Sequence, residues 1–183
     1  MNKKIKLDLH THPIEALKEK LGIKSVLDID KEAASAIVRV IKSAGLDGIA
    51  VTEDNNFNQG WTVSLEIAEQ FKSENLIILP GAEIDYAGLR FLSIYVPDRV
   101  RRKIPFFLGK EWFSILAHPG YSSGVDLQKL MEVDFDAVEG TSILGDFPLA
   151  AEISVEKIIP IIKASDARRL EDIGSSFMEL EIQ

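Results

Sequence analysis

The chain contains no cysteine among its 183 residues and only three histidines. The absence of cysteine excludes a disulfide framework and any metal site built from thiolates. Positive charge is also scarce, because 21 lysines and arginines face 29 acidic residues and leave a net charge of −8. Nucleic-acid-binding proteins normally present a basic surface, so this balance argues against such a role and leaves room only for a local basic pocket.

Long hydrophobic segments are missing as well. No apolar run approaches the ~18 residues that a transmembrane helix needs. The basic N-terminal segment MNKKIKLD is not followed by the apolar stretch of a signal peptide, so we expect a cytoplasmic protein. The length suits one domain spanning residues 1–183, and an apolar fraction of 46% is sufficient for a sizeable core.

Short β-rich segments alternate with amphipathic segments along the chain. Seven segments have the composition of buried strands: IKLDLH, GIAVT, LIILPGAEI, RFLSIYV, FSILAH, DAVEG and IIPIIKA. Four segments between them have helical spacing: KEAASAIVRVIKSAG, TVSLEIAEQFKSEN, DLQKLMEV and PLAAEISVEK. Asp30 is expected to cap the first of these helices and Gly45 to end it. The alternation is typical of parallel βαβ units and predicts an α/β fold.

Side chains that can bind metal or transfer protons follow the ends of these strands, and all three histidines are among them. The full set is His10, His12, Glu53, Asp54, Glu83, His118, Glu139 and Asp166. In a (β/α) barrel the carboxyl ends of the strands meet on one face. A His-x-His pair on a strand points both imidazoles to one side, since side chains alternate. Each residue alone is better explained by a structural role, such as a cap, a turn or a buried hydrogen bond, but the joint placement predicts a divalent metal site.

The same segments resemble, in order, the motifs of the polymerase-and-histidinol-phosphatase (PHP) family of metal-dependent phosphoesterases. The matching stretches are DLHTH, AVTEDNN, PGAEID, AHPG and KASDARRLEDIG. The resemblance spans nearly the whole chain. It implies a distorted (β/α)7 TIM-like barrel that uses divalent ions (Zn, Mn or Fe) to bind a phosphate ester and activate water.

Residue by residue, the resemblance implies a first metal site formed by His10, His12, Glu83 and Asp166. Glu83 would bridge to a second ion, for which His118 is a ligand. His118 and Asp166 are also the implied catalytic residues, with His118 either completing the metal shell or protonating the leaving group.

Four positions depart from the family pattern. Asp54 and Arg168 stand where the second and last motifs carry histidine, and Lys18 and Phe91 correspond to two further family histidines. We therefore expect one or two ions rather than three. Our hypothesis is that Arg168, together with Lys18, replaces the missing ion by binding phosphate while Asp54 holds the guanidinium in position. The alternative is a surface salt bridge of little consequence.

Two other acids remain open to more than one interpretation. Glu139 is a candidate for orienting a ligand or the substrate, and a helix cap is the alternative. Glu53 is either a carboxylate that supports the site or a solvated loop acid.

The leading functional prediction is a metal-dependent phosphoesterase that acts on a phosphorylated small molecule or nucleotide through a metal-activated water. The alternative is a catalytically weak or inactive binding or regulatory protein that retains one metal site, which the loss of several histidines favours. A barrel associated with RNA processing is a third possibility, and the acidic balance argues against it. The sequence leaves the oligomeric state open.

Overall fold

The computed structural model describes residues 3–22, 30–86, 88–121 and 127–183. The strands in this part of the chain are β1 (Lys3–Thr11), β2 (Gly48–Asp54), β3 (Ile77–Tyr86), β4 (Leu89–Tyr95), β5 (Trp112–Leu116), β6 (Ala137–Ser142), β7 (Gly145–Asp146), β8 (Ile161–Lys163) and β9 (Met178–Ile182). The α-helices are α1 (Pro13–Leu21), α2 (Lys31–Ser43), α3 (Phe57–Gln70), α4 (Asp98–Arg101), α5 (Leu127–Glu132) and α6 (Leu149–Lys157). Short 3₁₀ segments lie at Lys72–Glu74, Pro105–Phe107 and Leu170–Asp172. Within these ranges no helix is both long and apolar enough to cross a membrane.

All nine strands belong to one sheet, in the order β7-β6-β5-β4-β3-β2-β1-β9, with β8 paired to β6. Strands β1, β2 and β3 are parallel, and β6 is parallel to both β5 and β8. Beyond β8 the backbone at Ala167 forms a parallel bridge to Thr11 on β1. The sheet therefore curls until the segment after β8 reaches the first strand, and the fold is a mixed α/β fold built on this curled sheet.

The predicted α/β class is confirmed. The expectation that neighbouring strands are parallel is wrong where β4 pairs with β3 and with β5. Strand β4 runs antiparallel to both of its neighbours. Strand β3 ends at Tyr86 and β4 begins at Leu89, so the connection is a tight hairpin with no room for a helix. The sequence also did not indicate strands β7 and β9 or helices α1 and α4.

Apolar side chains pack on both faces of the sheet. The inner cluster contains residues such as Leu7, Leu9, Leu79 and Leu92, all fully buried. The outer cluster joins the first strands to α1, α2 and α3. Both faces are covered, which explains why the strand sequences are nearly continuous in Ile, Leu and Val.

The predicted ends of α2 are confirmed. The Asp30 side chain accepts a hydrogen bond of 3.0 Å from the backbone N–H of Ala33, and Gly45 has a φ of +68° after the last turn. These two signals are local, so they could be read from the sequence without knowledge of the sheet.

Candidate metal centre

An irregularity in β1 directs His10 to the inner face of the sheet, which His12, directly after the strand, also faces. Between Asp8 and Thr11, β1 advances three residues while β2 advances two, from Ile49 to Val51. Leu9 belongs to the inner cluster, so strict alternation would turn His10 to the outer face. The extra residue is a β-bulge that re-aims the side chains that follow it.

Four side chains from three parts of the chain meet at the carboxyl ends of β1, β3 and β8. The Nε2 atom of His10 lies 3.1 Å from Nε2 of His12, 3.7 Å from Oε2 of Glu83 and 3.4 Å from Oδ1 of Asp166. The Nε2 atom of His12 lies 3.5 Å from the same Glu83 oxygen and 3.3 Å from the same Asp166 oxygen. All four side chains are at most 4% exposed. The predicted convergence of these four residues is therefore present.

These spacings fit a divalent ion. Ligand atoms at 2.0–2.1 Å around a tetrahedral ion would stand about 3.3 Å apart, which is close to the five distances of 3.1–3.7 Å given above. Two imidazole Nε2 atoms and two carboxylate oxygens are also donors that Zn, Mn and Fe accept. The donor set and its spacing thus suit a metal ion better than a network of hydrogen bonds.

The environment of the Asp166 carboxylate also suits a metal ion. Its Oδ1 is buried and has no hydrogen-bond partner among the described residues, although His10, His12 and Arg168 nitrogens surround it. The backbone of Asp166 has a φ of +53°, and His118 has a φ of +29°. Burial raises the pKa of Asp166, but the neighbouring imidazoles of His12 and His10 lower it overall. Strained conformations at two candidate ligands are typical of functional sites.

Glu139 holds both His10 and the backbone of His118. Its Oε1 lies 3.1 Å from Nδ1 of His10, and its Oε2 accepts a hydrogen bond of 2.8 Å from the His118 N–H. A proton on Nδ1 that is donated to Glu139 leaves the lone pair on Nε2 free to face the centre. Glu139 therefore holds His10, a candidate ligand, through a side-chain contact.

His118 lies beside the first four residues. Its Nε2 is 2.7 Å from Oε1 of Glu83, and its ring stacks on that of His10 with centroids 5.8 Å apart. Three sets of donors among the described residues are close enough to hold an ion. In one of them, His12 with Glu15 and Asp54, both carboxylates are already paired with the Arg168 guanidinium. The other two sets overlap: His10 with His12 and Glu83, and His10 with His118 and Asp166. This overlap is consistent with the expected one or two ions.

Arg168 reaches into the centre from the segment after β8. Its Nη1 donates to Glu15 at 2.7 Å and to Asp54 at 2.8 Å, and its Nη2 donates to Oε2 of Glu83 at 3.3 Å. The same Nη2 is 3.3 Å from Nε2 of His12. Partial burial lowers the pKa of Arg168, but the carboxylates around it, led by Asp54, raise it overall. Arg168 and Asp54 are therefore paired, as predicted, and Glu15 is a partner that the sequence did not indicate.

The residue of β4 that faces the centre is Arg90, not Phe91. Glu83 pairs with Leu92 across the β3–β4 hairpin, so even-numbered residues of β4 share the face of Glu83. Phe91 packs in a separate apolar cluster with Leu116 and Phe135. Nη1 of Arg90, by contrast, donates to Asp54 at 3.1 Å and to Oε2 of Glu83 at 3.2 Å. Placing Phe91 at the missing histidine was wrong by one residue, which on a strand exchanges the two faces.

Two further residues discussed from the sequence, Lys18 and Glu53, lie on or beside α1 and differ in burial. Lys18 is exposed on α1, and its ammonium has no ion pair with the described residues. Glu53 is only 5% exposed, and its Oε1 accepts a hydrogen bond of 2.6 Å from the N–H of Ile14 at the start of α1. The solvated-loop interpretation of Glu53 is wrong, because its carboxylate anchors the helix that follows His12.

Charge is unevenly distributed within the centre. Burial raises the pKa of Glu83, but the imidazoles of His10 and His118 lower it far below its usual range. Burial lowers the pKa of His10, yet the Glu139 carboxylate raises it well above normal overall. Burial dominates at His12 and lowers its pKa. The centre thus combines an ionised Glu83 with a neutral His12, whose Nε2 lone pair can accept a cation.

Comparison with known proteins supports the fold. No family model and no curated protein matches the sequence. A two-domain protein from Bacteroides vulgatus that contains a predicted PHP-like metal-dependent phosphoesterase matches with a TM-score of 0.59 and 19% identity, over 92% of this chain and 53% of that chain. The chain thus spans about half of the Bacteroides protein.

Two further structures match over most of their length. A candidate metal-dependent phosphoesterase from Bifidobacterium adolescentis has a TM-score of 0.59 and 14% identity, over 90% of this chain and 88% of its own. An amidohydrolase from Chromobacterium violaceum, solved with bound sulfate and no metal, has a TM-score of 0.59 and 13% identity, over 93% and 90%. At these identities the likeness concerns the fold, which is PHP-like.

Proposed function

We propose that residues 1–183 form a single PHP-type barrel domain that hydrolyses a phosphoester of a small molecule or nucleotide with the help of a divalent metal ion. The observation that carries this proposal is the cage of His10, His12, Glu83 and Asp166, whose donor atoms stand 3.1–3.7 Å apart where measured. The PHP-like fold of the neighbouring structures adds support, because two of them are described as metal-dependent phosphoesterases.

The ion would be held by these four side chains, with His118 as an additional ligand or neighbour. A divalent ion bound there would supply a nucleophilic water near neutral pH and withdraw charge from the phosphoryl group. Glu139 fixes the tautomer of His10 so that Nε2 faces the ion. The strained backbone of Asp166 keeps its Oδ1 directed inward, where the described residues provide no hydrogen bond to compete for it.

Arg168 and Arg90 would bind the substrate phosphate. Their guanidinium groups contact the same carboxylate oxygen of Glu83, at 3.3 and 3.2 Å, and each is about one third exposed, at 35% and 38%. Exposed N–H groups at the edge of the cage can form paired hydrogen bonds with phosphate oxygens. Asp54, shared by both arginines, keeps the two groups together.

His118 would donate a proton to the leaving group. Its side chain is 12% exposed, whereas the other two histidines are fully buried. It can therefore reach a substrate from the cage edge, and its hydrogen bond to Glu83 holds the ring in place.

The decisive experiment combines elemental analysis with a hydrolysis assay. The purified protein is loaded with Zn, Mn or Fe, and p-nitrophenyl phosphate is the substrate. We expect one or two ions per chain, metal-dependent release of p-nitrophenol, and loss of both in His12→Ala. The exposed Lys31→Ala variant on α2 serves as the control and should keep both. A protein that neither holds these ions nor responds to them would contradict the proposal.

One observation favours the second candidate, a binding or regulatory protein with one metal. Both guanidinium groups are already paired with carboxylates, and the His118 ring is already bonded to Glu83. A protein that retains an ion with full occupancy but leaves p-nitrophenyl phosphate intact would establish this candidate over the phosphoesterase.

A further inference from the structure

A cavity of about 670 Å³ lies at the end of the sheet opposite the metal centre. It is lined by the amino ends of β1 and β3, the carboxyl end of β9, the second half of α3 and the segment around α4. Ile5 at its wall and His10 in the cage lie on the same strand, five residues or about 16 Å apart. The cavity is therefore separate from the metal centre, and its volume falls within the range of small-molecule sites.

The lining of this cavity is mainly apolar. Ten of its sixteen residues are aliphatic or aromatic. Ile5, Ile67 and Ile104 are buried in its wall, whereas Leu65, on α3, is 53% exposed. A half-exposed leucine beside buried isoleucines indicates an apolar surface that is open to a ligand.

The polar residues of the lining are mostly cations. Lys3, Arg99 and Lys103 are exposed, and none forms an ion pair or side-chain hydrogen bond with the described residues; Lys72 is a fourth cation of the lining. The one acid, Asp47, accepts a hydrogen bond of 2.8 Å from the Lys6 N–H. In a chain with a net charge of −8, three cations without acidic partners around one apolar cavity are an unusual concentration of positive charge.

We propose that this cavity binds an amphipathic anion, a molecule with an apolar body and a carboxylate, sulfonate or phosphate head. The apolar body would lie against Ile5, Ile104 and Leu65, and the head would contact Arg99, Lys103 and Lys3. An apolar body removed from water supplies affinity, and charge-assisted hydrogen bonds from the exposed cations supply the preference for an anion. Binding at this site does not depend on the metal centre.

The test uses the full chain and 8-anilino-1-naphthalenesulfonate, an aromatic sulfonate that fluoresces in apolar sites. We expect one probe per chain and displacement by decanoate but not by decan-1-ol at the same concentration. Affinity should fall at least about tenfold in the double variant Arg99→Ala/Lys103→Ala, since two charge-assisted contacts are lost. Leu65→Glu should weaken binding as well, and Lys31→Ala, which removes a distant surface charge, should not.

These substitutions change exposed side chains, so the variants should keep the circular dichroism and melting temperature of the unmodified protein. Protein treated with chelator and the His12→Ala variant should bind the probe unchanged, which separates this site from the metal centre. Equal displacement by decanoate and decan-1-ol would overturn the proposal, as would unchanged affinity in the double variant. Self-association that Leu65→Glu abolishes would overturn it too, because the cavity would then be an interface between two copies.

Discussion

Glu139 lies 3.1 Å from Nδ1 of His10 through one carboxylate oxygen and 2.8 Å from the backbone nitrogen of His118 through the other. A single fully buried side chain on β6 thus contacts His10 on β1 and His118 in the segment after β5. Both contacts require an acceptor, and a carboxylate offers one at each oxygen. The geometry of the cage therefore depends on a residue that would not touch the metal.

Glu139→Gln is expected to weaken metal binding by about 10–100-fold without removing a ligand. The glutamine amide can accept only one of the two N–H groups and presents its own NH₂ group to the other. Either the His10 tautomer changes or the His118 backbone loses its partner. Isothermal titration with Zn²⁺ or Mn²⁺ measures the affinity, and Glu156→Gln, an exposed glutamate on α6, is the matched control. Equal affinities in the unmodified protein and Glu139→Gln would show that Glu139 does not position the cage.

The convergence of the candidate ligands could be predicted from the sequence because their signals are local. The candidate ligands lie near the carboxyl end of a recognisable strand or directly after it, and the ends of parallel strands meet. The bulge between Asp8 and Thr11 could not be predicted, since it depends on how β1 pairs with β2. The alternation of side chains predicts that His10 and His12 point to the same side of the strand, but not which face of the sheet that side is.

Two residues at the edge of the centre, Arg90 and Glu15, were not predicted from the sequence. Arg90 was missed because β3 and β4 form a hairpin. The assumption of parallel units left the register of β4 undetermined, so Phe91 was placed where Arg90 lies. Glu15 was not identified because helix α1 was not predicted, although Pro13 in the first turn of that helix is a helix-start signal. Contacts between segments far apart in the chain, such as Arg168 with Glu15, require the fold.

Arg168→Ala is expected to weaken the binding of inorganic phosphate by about 10-fold or more while the metal content stays the same, since a charge-assisted contact is lost. Arg168→Lys should not restore binding fully, because lysine lacks the planar pair of donors. Inhibition of p-nitrophenyl phosphate hydrolysis by phosphate measures the affinity in each variant, and Lys31→Ala is the control. Unchanged phosphate affinity in Arg168→Ala would show that Arg168 does not bind phosphate and that its pairing with Asp54 is only a structural salt bridge.

The buried Glu53 carboxyl should make the free energy of unfolding depend on pH, and the Glu53→Gln variant should lack this dependence. Burial raises the pKa of Glu53 from 4.5 to about 7, so the folded state binds the extra proton between these values. The contribution of Glu53 to the free energy of unfolding is then present below about pH 4.5 and lost as the pH rises through 7. The shift corresponds to a loss on the order of 3 kcal/mol.

Glu53→Gln keeps the acceptor for the Ile14 N–H and removes the ionisation. We therefore expect the stability of this variant, relative to the unmodified protein, to increase between pH 5 and pH 8. Urea unfolding at each pH measures the difference, and Glu156→Gln is the surface control. A difference that stays constant across this range would mean that Glu53 is ionised in the folded protein at pH 5.

Gly60→Ala is expected to destabilise the fold, contrary to the usual effect in a helix. In an open helix position, alanine is more favourable than glycine by about 1 kcal/mol. Gly60 lies in α3, where a Cβ atom would stand 2.3 Å from the backbone oxygen of Gly81 and 2.8 Å from that of Val51. Neither atom can move without shifting β3 or β2, so we expect a net loss of about 1–3 kcal/mol. Urea unfolding measures it, and Asn58→Ala, at an exposed position of the same helix, should change stability by no more than about 0.5 kcal/mol. A more stable Gly60→Ala variant would show that α3 does not pack this closely on the strands that carry Asp54 and Glu83.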